Sequence, residues 1–172
     1  MGPQAIRTGL RLSGFIQDEG GVTAHFVDAR FGTSSQTVRG EVLIGADGIH
    51  SAVRKHFYPH ESGPSWQGAM MWRGATDWPD FLGGRSMFIG GGMGLKVALY
   101  PIADGATPGT KLTNWAIVVR VADEKNSPPP KESWSRVGRM DDLLPYARRF
   151  NIPGVDIEAL VRATKTFFEY PM

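Results

Sequence analysis

At 172 residues, with 41% hydrophobic and 21% charged side chains, the chain has the size of one domain and the composition of a folded globular protein. Lys and Arg exceed Asp and Glu by only 19 to 17, and no long basic run occurs, which argues against nucleic acid as a partner. The absence of cysteine excludes disulfides, thiolate zinc sites and thiol nucleophiles; no run approaches the roughly 18 apolar residues of a membrane span, so a cytoplasmic protein without membrane contact is expected.

In chain order, "GLRLSGFIQ" and "GVTAHFVD" read as two strands joined at "DEGG", since glycine supplies the positive φ of a tight hairpin. Val22, Ala24 and Phe26 alternate with polar residues, as in a half-buried strand. "RFGTSSQ" reads as a polar loop. Val42 to Ala46, "VLIGA", is apolar throughout and predicts a strand covered on both faces, as in a parallel α/β sheet. It should deliver Asp47 to a tight turn, with a helix starting near Ser51, a plausible N-cap.

From about Ser65 the pattern changes. "SWQGAMMWRGATDW", "RSMFIGG", "LKVALYPI" and "LTNWAIVVRV" are rich in aromatic and β-branched residues and are separated by Gly, Pro and Asp, which predicts one antiparallel sheet. "NSPPPK" breaks regular structure and marks a linker or rigid turn. Beyond it, Asp141 is placed to cap a helix with Pro145 in its first turn and Leu143, Ala147 and Phe150 on one face. "PGVDIEALVRAT" predicts a second helix burying Ile157, Leu160 and Val161, and "KTFFEYPM" a closing strand.

The turn after "VLIGA" groups chemistry within eight positions. Gly48 lets a ligand approach the backbone, Asp47 offers acceptors suited to ribose hydroxyls, and Ser51 with the helix start offers donors to an anion beside the fixed charge of Arg54. A ribose joined to a pyrophosphate satisfies this set. So does a structural turn with a capping serine and a solvated arginine.

"VLIGADGIHSAVR" resembles the Asp-Gly fingerprint of the flavin-dependent aromatic hydroxylases, the single-component FAD monooxygenases of the p-hydroxybenzoate hydroxylase type. Gly45, Ala46, Asp47, Gly48, Ser51 and Arg54 match that motif position by position; Val42 stands where a charged residue often opens it, with Glu41 one place earlier. "RTGLRLSGFIQDEGGVTAHFVD" is similar to the hairpin preceding the fingerprint. "MMWRGATDWP", "GGRSMFIGG", "VALYPI" and "NWAIVVRV" resemble the substrate-domain sheet of the salicylate and 3-hydroxybenzoate hydroxylase branch, and "FFEYPM" the strand leading back. The family's Gly-x-Gly-x-x-Gly turn and later Gly-Asp motif have no counterpart here, since "GGGMG" at Gly90 to Gly94 has the wrong spacing.

The resemblance implies an α+β or α/β fold: part of a doubly wound FAD-binding domain over residues 1–64 and an antiparallel-sheet substrate domain over 65–172. Within the second, the sheet is expected over 65–121, helices over about 133–164 and a return strand over 165–172. It implies FAD as cofactor, NADH or NADPH as co-substrate, and hydroxylation of a small phenolic or benzoate-like substrate with O2. Asp47, Gly48, Ser51 and Arg54 would bind the cofactor. As the middle of such an enzyme, the chain alone is expected to be inactive and without tightly bound flavin.

Lys96, Ala98 and Tyr100 share one face of "LKVALYP". In some hydroxylases of this branch a His and a Tyr four apart stand on this strand beside the substrate; Tyr100 keeps the second role and Lys96 replaces the first. A lysine there could pair with an acidic or phenolic substrate, or carry its charge out to solvent. Arg73 in "WRG" could bind a substrate carboxylate or sit as a surface charge. No residue is assigned a catalytic role. Trp66, Trp72, Trp78 and Trp115 read first as packing, and His56 and His60, with Pro59 between them, do not form a metal site. A second reading is a non-catalytic sheet domain that meets a protein partner and binds no nucleotide. The aromatic substrate and the oligomeric state are not fixed by these residues.

Overall fold

The computed structural model describes residues 2–33, 35–122, 133 and 135–172, so the proline-rich stretch expected as a linker lies outside the described residues. The chain divides into two compact units, Met1–Ser65 and Trp66–Met172.

In the first unit, β1 (Leu10–Asp18), β2 (Gly21–Asp28) and β3 (Ser35–Gly40) form an antiparallel sheet in that order. The β1–β2 hairpin turns at Glu19-Gly20, with Asp18 paired to Gly21, and a register shift between Leu12 and Gly14 makes a bulge at Ser13. Strand β3 takes in Ser35 and Gln36, which the sequence reading had assigned to a loop; its polar composition hides a strand that the ladder to β2 holds in place. Arg39 anchors it by donating to Asp18 and to Thr23 Oγ1. Phe15, Val22 and Ala24 form the small core, against which Leu43 and Val53 pack.

The segment 42–46 departs from expectation. It forms no strand, and Val42 and Ile44 are 77% and 82% exposed. A fully apolar strand is stable only between two neighbouring strands or helical layers, and the described residues supply none, so the run makes no ladder. It delivers Asp47 to a turn that is no hairpin tip, and helix α1 (Ala52–Phe57) follows with Ser51 as its N-cap, where the spacing predicts it.

In the second unit, β4 (Ala69–Pro79), β5 (Phe88–Gly91), β6 (Leu95–Asp104), β7 (Thr110–Arg120) and β8 (Phe167–Pro171) form one sheet in the order β5-β6-β7-β4-β8, antiparallel at every junction. Helices α2 (Met140–Ala147) and α3 (Ile157–Ala163) supply Leu143, Ile157, Leu160 and Val161 to a core shared with Val97, Leu99, Trp115 and Ile117 of the sheet. Two details differ from the sequence reading. Helix α2 starts two residues earlier, with Arg139 rather than Asp141 at the N-cap, so Pro145 falls in the second turn. Trp66 precedes the first strand, its indole N–H donating to the Ala69 carbonyl.

The core face is tied by one buried relay. Trp115 Nε1 donates to Thr164 Oγ1 at 2.8 Å, and Thr164 Oγ1 donates to the Leu160 carbonyl at 3.0 Å. Gly74 lies against this relay: a Cβ there would stand 2.8 Å from Thr164 Cγ2 and 2.9 Å from Trp115 Cζ2.

Candidate functional site

The loop from Gly45 to Ser51 is held from within. Ser51 Oγ donates to Asp47 Oδ1 at 2.6 Å, the Ala52 N–H donates to Asp47 Oδ2 at 2.6 Å, and the Val53 N–H reaches the same oxygen at 3.3 Å. Ser51 Oγ in turn accepts the Arg54 N–H at 2.9 Å. Asp47 and Ser51 thus satisfy donors at the start of α1 that a helix leaves free. The hydrogen bond from Ser51, with those of the Val53 and Ala52 amides, holds the Asp47 carboxyl below its ordinary value of 3.8 against the opposing effect of partial burial.

Gly48 has φ of 76°, a left-handed conformation, and a Cβ there would meet nothing within 4 Å. The backbone is therefore open to approach from outside. From this turn opens a cleft of about 830 Å³ lined by Gly48, Ser51, Arg54, Lys55, Tyr58 and Glu61 among others.

Arg54 is not a free cation. Its Nε donates to Glu61 Oε2 at 2.6 Å and its Nη2 to Oε1 at 2.5 Å, and its guanidinium carbon lies 5.6 Å from the Tyr58 ring centroid. The arginine holds the Glu61 carboxyl below the usual carboxylate range. Glu61 escaped the sequence reading because it lies seven residues from Arg54 across Pro59, a spacing with no periodic signature.

Of the four residues expected to meet a cofactor, Gly48, Ser51 and Arg54 thus line one cleft, and Asp47 stands in the turn at its edge, hydrogen-bonded to Ser51. The three expected near a substrate also share a surface. Arg73 pairs with Ala116 across β4 and β7, Tyr100 with Asn114 and Lys96 with Val118 across β6 and β7. By strand alternation all three lie on the face opposite Trp72, Val97, Leu99 and Trp115. Arg73 and Lys96 are exposed and Tyr100 is half-buried. One further residue of this face, Asn114, interrupts the run "LTNWAIVV" and has no motif to single it out in sequence; it is buried, and its Oδ1 accepts from Arg73 Nε at 3.1 Å. His56 stacks on Phe15 at 4.1 Å between ring centroids, and no cluster of metal-ligating side chains occurs among the described residues.

The FAD binding domain family matches residues 1–140. Phenazine 1,6-dicarboxylic acid hydroxylase PhzS of Lysobacter antibioticus is 33% identical over 174 residues, covering 100% of this chain and 42% of that protein. Aurachin C monooxygenase/isomerase of Stigmatella aurantiaca is 28% identical over 107 residues, 62% of this chain and 26% of that protein. The chain therefore spans less than half the length of either relative. Among solved structures, Klebsiella pneumoniae HpxO, complexed with FAD and uric acid, aligns with a TM-score of 0.64 at 22% identity over 99% of this chain and 39% of its own. The 2,6-dihydroxypyridine-3-hydroxylase of Arthrobacter nicotinovorans aligns with a TM-score of 0.62 at 18% identity over 99% of this chain and 45% of its own. These alignments place the fold in the p-hydroxybenzoate hydroxylase-like class. With most of its length matched by that family's model, the chain belongs to the FAD binding domain family.

Proposed function

We propose that the protein carrying this chain is an FAD-dependent monooxygenase that hydroxylates a small aromatic substrate, with NADH or NADPH as reductant. The observation that carries this reading is the turn at Asp47–Ser51, open at Gly48 and leading into the cleft that holds Arg54, in a member of an FAD-binding family. Family membership speaks against the reading as a nucleotide-free interaction domain.

The residues fit a dinucleotide. Asp47 Oδ1 accepts from Ser51 and has a second lone pair for a ribose hydroxyl, while Oδ2 is taken by the Ala52 and Val53 amides. Gly48 admits the ligand to the backbone, and Arg54 brings a fixed positive charge that a pyrophosphate can claim from Glu61. FAD supplies the redox and oxygen chemistry when bound; the protein's residues orient it and keep water from the reacting ring. The sheet face bearing Arg73, Lys96 and Tyr100 is assigned to the substrate, whose ring would meet Tyr100 and whose anionic group the two cations.

The PhzS relative is named for a phenazine dicarboxylate, which makes that compound the first substrate to try. The test is full-length protein passed through gel filtration and scanned for flavin absorbance. Oxidation of NADH or NADPH is then followed with phenazine-1,6-dicarboxylate, and the product is weighed for one added oxygen. Retained flavin with substrate-stimulated oxidation and an oxygenated product is expected. Full-length protein that emerges colourless and cannot be loaded with FAD overturns the reading.

A further inference from the structure

The face assigned to the substrate holds a polar group that the fold itself does not use. Asn114, in the middle of β7, is 4% exposed, and its Nδ2 is enclosed with no hydrogen-bond partner. The orientation of its carboxamide is fixed chemically. Arg73 Nε donates to Oδ1 at 3.1 Å, and a guanidinium has only donors, so exchanging the amide ends would set donor against donor.

A buried donor without an acceptor is costly, and folds rarely keep one when an apolar side chain of the same shape would serve. Trp72 Nε1 is similarly unpartnered, but it lies on the opposite, helix-covered face, stacked on Tyr146. Asn114 faces the other way, beside Arg73 and opposite Tyr100. Arg73 is itself exposed and has no carboxylate partner among the described residues. An enclosed neutral donor without an acceptor and an exposed guanidinium that meets no carboxylate among the described residues therefore stand side by side.

We propose that Asn114 is a substrate-binding residue which, with Arg73, reads a carboxylate on the aromatic substrate. The inference rests on the monooxygenase reading and adds to it the chemical class of the substrate and the residue that recognises it. The carboxylate would take the Nδ2 hydrogen bond and pair with the guanidinium, while the Arg73–Asn114 contact fixes the angle between the two donors. Because Nδ2 is enclosed, a neighbour must shift on binding, and Tyr100, half-buried and directly across on β6, is the side chain placed to move.

The experiment uses flavin-loaded full-length protein and two probes, phenazine-1,6-dicarboxylate and unsubstituted phenazine, with dissociation constants from the absorbance change on binding. Asn114→Leu removes the donor at similar volume. Asn114→Asp keeps an acceptor for Arg73 but sets like charge against the ligand. The expected result is about ten- to a hundredfold weaker binding of the dicarboxylate to Asn114→Leu. Asn114→Asp should lose more, with phenazine binding and thermal unfolding little changed in both. If Asn114→Leu does not fold, Asn114→Asp decides on the same criterion. Equal affinity for the dicarboxylate in wild type and variant overturns the inference, as does an equal loss for both probes, which would mark Asn114 as a packing residue. Wild type that holds FAD and binds phenazine but not the dicarboxylate overturns the inference while leaving the monooxygenase reading standing; wild type that cannot hold FAD overturns that reading first.

Discussion

Both oxygens of Asp47 are engaged by donors of its own chain, so a substitution there removes a turn-forming group as well as a ligand-binding one. Two variants separate these contributions. Ser51→Ala removes the cap and leaves the carboxylate; it should cost about 1 kcal/mol of stability with modest effect on flavin. Asp47→Ala in the full-length protein should weaken FAD retention about ten- to a hundredfold, the value of a charge-assisted hydrogen bond. Equal flavin loss in the two variants would mean that Asp47 acts only by shaping the turn. The pH dependence has a defined sign. The folded-state pKa of Asp47 is lowered, so its contribution is complete above the ordinary carboxyl value of 3.8 and is lost as pH falls through the lower folded value. Unfolding curves between neutral and strongly acid pH should differ from those of Asp47→Ala only above that range. Deeper in the chain, Thr164→Val leaves the Trp115 indole N–H unpaired and should cost about 1–3 kcal/mol in denaturant unfolding. At this scale the sequence reveals Ser51 and the Asp-Gly pair, because caps and turns are local. The Arg54–Glu61 pair and the Thr164–Trp115 relay join residues 7 and 49 apart, and no local pattern announces either.

Elements were legible where burial is one-sided. The strands β4, β6 and β7 alternate or turn apolar just where one face meets Leu143, Leu160 and Val161, and α3 shows its buried stripe in sequence. Strand β3 was missed because its sequence is polar and its residues are held by the ladder to β2 rather than by a core. The run at Val42–Ala46 failed in the opposite sense: its apolar composition predicts a covered strand, but hydrophobicity describes the environment a strand needs and cannot provide it. Close packing also bounds what β4 can carry. Gly74→Ala would bring a methyl against Thr164 Cγ2 and Trp115 Cζ2, and 3.0 Å from Phe167 Cβ. It should destabilise by about 1–3 kcal/mol, read as a lower denaturant midpoint at unchanged slope.

For the molecule as a whole, the cysteine-free composition excludes a disulfide-built fold, and no helix among the described residues is long and apolar enough to cross a membrane. What composition could not reveal is that apolar surface is distributed unevenly, with Val42, Ile44 and Ile49 exposed near the Asp-Gly turn. Exposed apolar side chains close in sequence on a backbone that no ladder occupies favour association. The isolated 172-residue chain should therefore bind a hydrophobic dye and self-associate with rising concentration. Ile44→Thr combined with Val42→Thr should reduce both, as read by dye fluorescence and light scattering. Unchanged dye binding in the double variant would show that the accessible apolar surface lies elsewhere.

The second unit closes on itself. The Gln67 N–H donates to the Met172 carbonyl at 2.7 Å, and the Met172 N–H donates to the Ala69 carbonyl at 2.8 Å, beside the pairing of Met70 with Pro171. Residues 67 and 172 are thus held a single hydrogen bond apart. A module with this geometry can be transplanted into a surface loop of an unrelated host without stretching either side, because the host sees only a two-stranded neck. Joining the two ends with a few glycines and opening the backbone at an exposed turn such as Thr107–Gly109 should yield a circular permutant that keeps the sheet, since the new linker spans almost no distance and closing it costs little entropy.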